Sequence, residues 1–375
     1  MPSLFDPIAL GAIEAPNRIL MAPLTRGRAV PGTHVPTDIM ATYYCQRASA
    51  GLILAEATGI SQQGLGWPAA PGVWSDEQVE GWKMATTAVH EAGGRIFLQL
   101  WHMGRLVHSD YLGGEAPVSS TDTTADGHAY TPTGQKPYSQ PRPLGIDEIP
   151  GVIDDYAKAA KNAMEAGFDG VQIHSANGYL IDQFLREQPN DRDDDYGGSP
   201  DNRTRLLDEV TRAVASEIGA DRTAVRLSPN GETQGAFDSD PDTVFGLAAE
   251  KLSAIGIAFL ELREPGPEGT FGNTDQPKAS PVIRKCFDGP LVLNSDFDQQ
   301  GAQAALDAGE ADAISFGRPY ICNPDLVHRF RDGIALGGMG KGGGAWDYAP
   351  TWYSPGAEGY IDYPFAEALE PDATG

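Results

Sequence analysis

Gly170-Val171-Gln172-Ile173-His174-Ser175-Ala176-Asn177-Gly178-Tyr179 is the stretch on which the fold turns. Its first half, Gly170–His174, predicts a short buried strand, and Asn177-Gly178 predicts a tight turn that leaves several polar side chains at the strand's carboxyl end. Similar short apolar runs flank it along the chain. They predict strands at Arg18–Ala22, Leu52–Ala57, Arg95–Leu100, Thr223–Leu227, Ala258–Leu262, Leu291–Asn294 and Ala313–Phe316. Between them apolar residues fall at helical spacing, as in Val152-Ile153-Asp154-Asp155-Tyr156-Ala157-Lys158-Ala159-Ala160 and Gln303-Ala304-Ala305-Leu306-Asp307-Ala308. Gly167, Gly256 and Gly309 stand where such helices would stop, because glycine takes the left-handed cap conformation at little cost. Repeated βα units with eight strands predict an α/β fold of the (β/α)8 TIM-barrel type. An open doubly wound sheet is the rival architecture, but no G-x-G-x-x-G follows a predicted strand.

A chain of 375 residues with 41% hydrophobic content suits one such barrel, so a single domain over residues 1–375 is expected. Two stretches break the alternation. Ala116–Pro150 is rich in Pro, Thr, Gly and Ser and predicts a long excursion after the third strand that covers the barrel mouth. The tail from Gly337 is glycine-rich, then aromatic, with Trp346, Tyr348, Trp352, Tyr353, Tyr360, Tyr363 and Phe365, a composition that predicts packing on the body.

The formal net charge of −25 argues against a general basic surface for nucleic acid. No apolar run is long enough to span a bilayer, and the opening Met1–Pro7 lacks a basic cluster followed by an apolar run, so a cytoplasmic protein without membrane contact is expected. Cys45, Cys286 and Cys322 lie far apart and form no C-x-x-C pair; they are expected as buried small residues, not as a disulfide or metal framework. No histidine cluster suggests a metal.

In a TIM barrel the chemistry sits at the carboxyl ends of the strands. Those ends carry Pro23-Leu24-Thr25-Arg26, Glu56-Ala57-Thr58, Gln99-Leu100-Trp101-His102, His174 to Tyr179, Arg226, Asn294-Ser295-Asp296 and Gly317-Arg318. Gly317 and Arg318 follow the last strand, where backbone N–H groups and a bidentate guanidinium can hold a phosphate; an ordinary turn with a surface arginine is the plainer reading. His174 and Asn177 can aim two donors at one oxygen, or the histidine can simply be satisfied inside the barrel. Tyr179 offers a phenolic proton beside them, or forms part of the wall. Arg226 ends an inward strand and needs an anion, whether a ligand or a structural acid.

These residues, in this order, resemble the Old Yellow Enzyme family of FMN-dependent ene-reductases. The matching motifs are Met21-Ala22-Pro23-Leu24-Thr25-Arg26, Glu56-Ala57-Thr58, Gln99-Leu100-Trp101-His102-Met103-Gly104-Arg105 and His174-x-x-Asn177-Gly178-Tyr179-Leu180. A longer marker follows in Phe184-Leu185-Arg186, Asn190-Asp191-Arg192, Asp195-Tyr196-Gly197-Gly198-Ser199 and Asn202-Arg203, and Phe316-Gly317-Arg318-Pro319-Tyr320 with Asn323-Pro324-Asp325-Leu326 closes the match. Thr25 makes the chain similar to the bacterial group containing N-ethylmaleimide reductase and pentaerythritol tetranitrate reductase.

The resemblance implies non-covalent FMN with Pro23, Leu24, Thr25, Ala57 and Gln99 along its ring, Arg226 at the N1 and C2 carbonyl side, and Gly317, Arg318 and the backbone of Asn294, Ser295 and Asp296 at its phosphate. It further implies NADPH or NADH as reductant and an activated alkene, carbonyl- or nitro-conjugated, as oxidant. His174 and Asn177 would anchor the alkene's activating oxygen, Tyr179 would protonate carbon, and Trp67, Trp101, Gln234 and Tyr353 would shape the substrate pocket. A monomer or weak dimer is expected. The chain departs from many relatives at Asn294-Ser295-Asp296, where they have a glycine-rich turn, and at Trp67, where tyrosine is common. The competing readings are a biosynthetic reductase resembling 12-oxophytodienoate reductase, which would share these residues, and a flavin-free barrel acting as isomerase or aldolase on a phosphorylated substrate.

Overall fold

The structure, a computed structural model, describes residues 1–269, 272–338 and 350–366. Eight parallel strands close a barrel: β1 Ile19–Met21, β2 Ile53–Gly59, β3 Ile96–Trp101, β4 Gly170–Ser175, β5 Thr223–Leu227, β6 Phe259–Arg263, β7 Leu291–Asn294 and β8 Ala313–Phe316. The ring closes where Ile314 of β8 pairs with Ile19 of β1. Each predicted strand is present, and the ends differ by no more than a residue or two.

Outside lie α1 Asp38–Cys45, α2 Asp76–Glu91, α3 Ile149–Glu165, α4 Arg205–Ile218, α5 Pro241–Ile255, α6 Ser280–Cys286, α7 Gln299–Asp307 and α8 Leu326–Asp332. Local chemistry sets their ends. Ser75 and Gln78 form a reciprocal capping box at the start of α2, and Asp240 with Pro241 opens α5, which closes on left-handed Gly256. Along α3, Val152, Tyr156, Ala159, Ala160 and Ala163 form the buried stripe. A charge at Val152 would forfeit about 1.5–3 kcal/mol of apolar burial and strand the charge against the barrel.

The barrel interior is layered because side chains alternate along each strand. Leu20, Leu54, Phe97, Ala224, Phe259, Val292 and Ala313 form an apolar plug, and the hairpin of Ile8–Leu10 and Ile13–Ala15 adds Leu10 and Ala15 beneath it. Two residues further along the strands the inward positions become polar, with Gln99, Arg226, Glu261, Asn294 and Ser315. On β2 a register shift between Leu54 and Ala57 inserts one extra residue against β3. Such a bulge re-aims side chains. Glu56 is buried against the Tyr44 hydroxyl (3.1 Å) and the Arg26 backbone N–H (3.2 Å), while Ala57 lines the cavity described below.

The excursion after β3 carries the hairpin His128–Thr131 and Gly134–Pro137. Its Tyr130 meets Trp67 edge-on at 5.1 Å, which places the hairpin over the mouth as expected. The described part of the tail also packs on the body. Arg26 donates to the carbonyls of Trp352 (3.0 Å) and Gly359 (2.7 Å), Arg28 donates to that of Thr351 (2.7 Å), and Tyr360 stacks on Tyr43 at 4.2 Å. Trp346 and Tyr348 lie outside the described residues. Cys322 is buried, but Cys45 and Cys286 are only half-buried, a correction to the expectation for the cysteines that follows from their positions at the ends of α1 and α6. Among the described residues no helix is long and apolar enough to cross a membrane, and no group of three or more His, Cys, Asp or Glu could hold a metal ion.

Candidate active site

A cavity of about 550 Å³ opens at the carboxyl ends of the strands. Every site residue expected from the sequence lines it: Pro23, Leu24, Thr25, Ala57, Trp67, Gln99, Trp101, His174, Asn177, Tyr179, Arg226, Gln234, Asn294, Ser295, Asp296, Gly317, Arg318 and Tyr353. These come from seven of the eight strand ends and from the tail, so the fold alone brings them together.

The turn after β4 delivers the three polar groups that matter most. Asn177 is left-handed, with φ 59°, and its N–H donates to the Ser228 hydroxyl at 2.8 Å. Gly178 follows at φ 76°, where a Cβ would meet the Thr233 carbonyl oxygen at 2.6 Å; no other residue fits there. The Gly178 N–H donates to Asp182 at 2.8 Å, and Asp182 is paired with Arg186 in full burial at 3.1 Å. Arg186 also donates to the Gly231 carbonyl at 3.0 Å. Gln183 ties the Gly178 carbonyl (2.7 Å) to the Met103 carbonyl (3.1 Å), while Arg105 fixes the left-handed Gln234 turn through its carbonyl at 3.0 Å. Arg186, from the long marker after β4, thus braces the turn through Asp182 and the loop that faces it through Gly231.

The rings of His174 and Tyr179 lie 4.9 Å apart, and Trp101 meets Tyr179 edge-on at 5.0 Å. Burial, with help from the Arg226 and Arg263 cations, holds His174 well below the ordinary imidazole value, so it is neutral. Burial pushes the Tyr179 phenol upward, with smaller contributions from Tyr138 and Tyr353, so it keeps its proton. His174 Nδ1 and Asn177 Oδ1 are buried without a hydrogen-bond partner in the protein. Buried polar atoms of that kind are rare unless a ligand completes them.

At the cavity floor Arg226 meets a structural acid, one of the two anions the sequence left open. Its Nη2 donates to Asn294 Oδ1 at 2.9 Å and its Nη1 stands 3.3 Å from Glu261, yet Nε and Nη1 are buried without a hydrogen bond. Sequence reasoning missed Glu261 and also Arg263, which lines the cavity. The signal was present as Glu261-Leu262-Arg263, two charges at alternate positions of an otherwise apolar strand. Arg263 is pushed down to about 10 by burial and by Arg226, against the support of Asp296. That mutual support places Asp296 in the field of a cation and answers the repulsion it would otherwise exert on a nearby phosphate.

The turn after β7 takes a backbone conformation that glycine would adopt more readily. Ser295 has φ 116° and Asp296 φ 52°, a conformation that costs of order 1–3 kcal/mol for each such residue and turns backbone toward the cavity. Gly317 follows the neighbouring strand β8 and lines the cavity beside that turn.

Apolar walls, a floor with unfilled guanidinium donors, and Arg318 beside Gly317 suit a flat, anionic cofactor such as FMN; the residues define a flavin-dependent TIM-barrel oxidoreductase. The chain belongs to the NADH:flavin oxidoreductase / NADH oxidase family, whose profile matches residues 3–337, and within it to the Old Yellow Enzyme family. An old yellow enzyme homologue from Zymomonas mobilis is 60% identical and superposes with a TM-score of 0.93, over 97% of this chain and 99% of that one. Morphinone reductase in complex with tetrahydroNAD is 43% identical with a TM-score of 0.89, over 97% of this chain and 98% of that one. 12-Oxophytodienoate reductase 7 of Oryza sativa subsp. japonica is 40% identical over 381 residues, covering 96% of this chain and 94% of that protein. The chain is accordingly an enzyme that uses FMN and a nicotinamide coenzyme, and the flavin-free isomerase or aldolase reading is not favoured.

Proposed function

We propose that this enzyme reduces the activated carbon–carbon double bond of α,β-unsaturated carbonyl or nitro compounds at the expense of NADPH or NADH. The observation that carries this reading is the convergence of neutral His174, Asn177 and protonated Tyr179 in one cavity, with His174 Nδ1 unsatisfied by the protein. When bound, FMN supplies the hydride chemistry that no side chain here can perform.

Pro23, Leu24, Thr25, Ala57 and Gln99 would hold the flavin ring, and Arg226 would offset the negative charge it gains on reduction. Gly317, Arg318 and the backbone of Asn294, Ser295 and Asp296 would hold the phosphate. His174 and Asn177 donate to the activating oxygen of the substrate. That draws electron density from the double bond and leaves the β-carbon electron-poor. Tyr179 then gives its proton to the α-carbon. Its raised pKa is no obstacle, because a carbanion-like carbon is the stronger base and the phenol arrives fully loaded. Trp67, Trp101, Gln234 and Tyr353 shape the space above, and Trp67 stands 6.0 Å from Tyr353 and 5.1 Å from Tyr130, a ring cluster that sheds water from the mouth. One barrel domain over residues 1–375, monomeric or weakly dimeric in the cytoplasm where reduced nicotinamide is plentiful, is the setting proposed.

Product analysis tests the reading. Anaerobic incubation of the FMN-loaded protein with NADPH and 2-cyclohexenone should yield cyclohexanone. Recovery of the unsaturated alcohol, or of unchanged enone, would overturn it.

A further inference from the structure

Above the apolar plug, the barrel interior carries a hydrogen-bonded layer centred on Glu261, which is fully buried. Glu261 Oε2 accepts from Gln172 Nε2 at 2.7 Å and lies 3.3 Å from Arg226 Nη1; Oε1 accepts from the Ser315 hydroxyl at 2.5 Å. Gln172 Oε1 accepts from Gln99 Nε2 at 2.8 Å, and Arg226 Nη2 donates to Asn294 Oδ1 at 2.9 Å. The carboxylate is the fixed acceptor in this chain. Because it can only accept from Gln172, it orients the Gln172 amide, which in turn orients Gln99, a cavity-lining residue. Inward barrel positions are ordinarily filled by branched apolar side chains, and burying a carboxylate costs several kcal/mol before pairing. A structural layer could use neutral groups throughout. A negative charge placed against a cavity-lining arginine that carries unfilled donors has an electrostatic consequence for whatever that arginine meets.

We propose that Glu261 is a positioning residue of the flavin site, orienting Gln99 through Gln172 and offsetting the charge of Arg226, so that bound FMN is harder to reduce than Arg226 alone would make it. The inference rests on the flavin reading of the cavity. Reduction adds negative charge at the N1 and C2 carbonyl edge of a flavin, which an uncompensated guanidinium stabilises over the oxidised form. A carboxylate 3.3 Å from that guanidinium, in a region that salt does not screen, subtracts from the stabilisation. The balance sets the driving force of both half-reactions, since a flavin too easily reduced is a poor hydride donor to the alkene.

The test is the midpoint potential of FMN in the holoenzyme, with the FMN dissociation constant measured alongside. Glu261→Gln should favour reduction at least tenfold, a rise of about 30 mV for a two-electron couple. Glu261→Asp, which keeps the charge, should stay nearer the wild type. A wild type that binds FMN while E261Q titrates at the same potential sinks this inference alone; a wild type that takes up no FMN removes the flavin reading and the inference with it. Should E261Q fail to retain FMN, Ser315→Ala gives a second reading. Removing one donor leaves the carboxylate less neutralised, so the potential should fall below wild type, and an unchanged or higher value overturns the proposal.

Discussion

The floor and the rim of the cavity are built on opposite plans. At the floor, Gln99, Gln172, Glu261, Ser315, Asn294 and Arg226 form one hydrogen-bonded chain on regular strands, with little left to chance except the spare donors of Arg226. At the rim, Asn177 and Gln234 sit on left-handed backbone, and His174 and Asn177 keep buried atoms without partners. On the proposed reading, the difference separates a site for a permanent guest from a site for a passing one. A cofactor that stays is met by a pre-satisfied surface, whereas a substrate that comes and goes is met by groups whose hydrogen bonds it alone completes.

Variants can break that division. The largest effect is expected from Tyr179→Phe, which should slow re-oxidation of the reduced enzyme by 2-cyclohexenone by about 10²–10⁴-fold while reduction by NADPH stays near wild type. Stopped-flow measurement of the two half-reactions checks it, and equal losses in both would count against Tyr179 as the acid. Replacing His174 and Asn177 together with alanine removes two hydrogen bonds to the substrate oxygen, so enone and phenol binding should weaken about 10- to 100-fold with FMN affinity unchanged. Ligand titrations that show no difference would remove the oxygen anchor. Arg318→Ala should do the converse, weakening FMN by about tenfold or more through loss of a charge-assisted contact, and leaving substrate binding to the remaining holoenzyme intact.

The smallest effect is a predicted absence. His174 is held below its ordinary value and so gains a proton only well under pH 6.5, and Tyr179 is held above its ordinary value and so loses one only beyond about pH 10. Enone-driven re-oxidation should therefore be level between about pH 6.5 and pH 10. A limb titrating inside that window would show that another group supplies the proton.

The strands and the rim residues were legible in the sequence for physical reasons. Barrel strands such as Thr223–Leu227 and Ala313–Phe316 are short apolar runs with polar exits, and the exits are where chemistry sits. Glu261 and Arg263 escaped because their meaning depends on register. Only once Arg226 is seen opposite Glu261 on the neighbouring strand does a charge inside an apolar run become part of a site. The bulge that separates Glu56 from Ala57 was likewise invisible, since both belong to one apolar strand and only the pairing with β3 shows the extra residue. Ser295 and Asp296 read as a departure from glycine, yet the backbone there keeps the left-handed turn that glycine would adopt, at a cost in strain that their residue types do not announce.

The most direct test of the central claim is the anaerobic visible spectrum of the purified protein, recorded as isolated, after NADPH, and after 2-cyclohexenone. A flavin band that bleaches with NADPH and returns with the enone is the predicted result, because floor and rim then serve the two guests in turn. A colourless protein that cannot be reconstituted with FMN, or a bleached flavin that the enone leaves bleached, would contradict it.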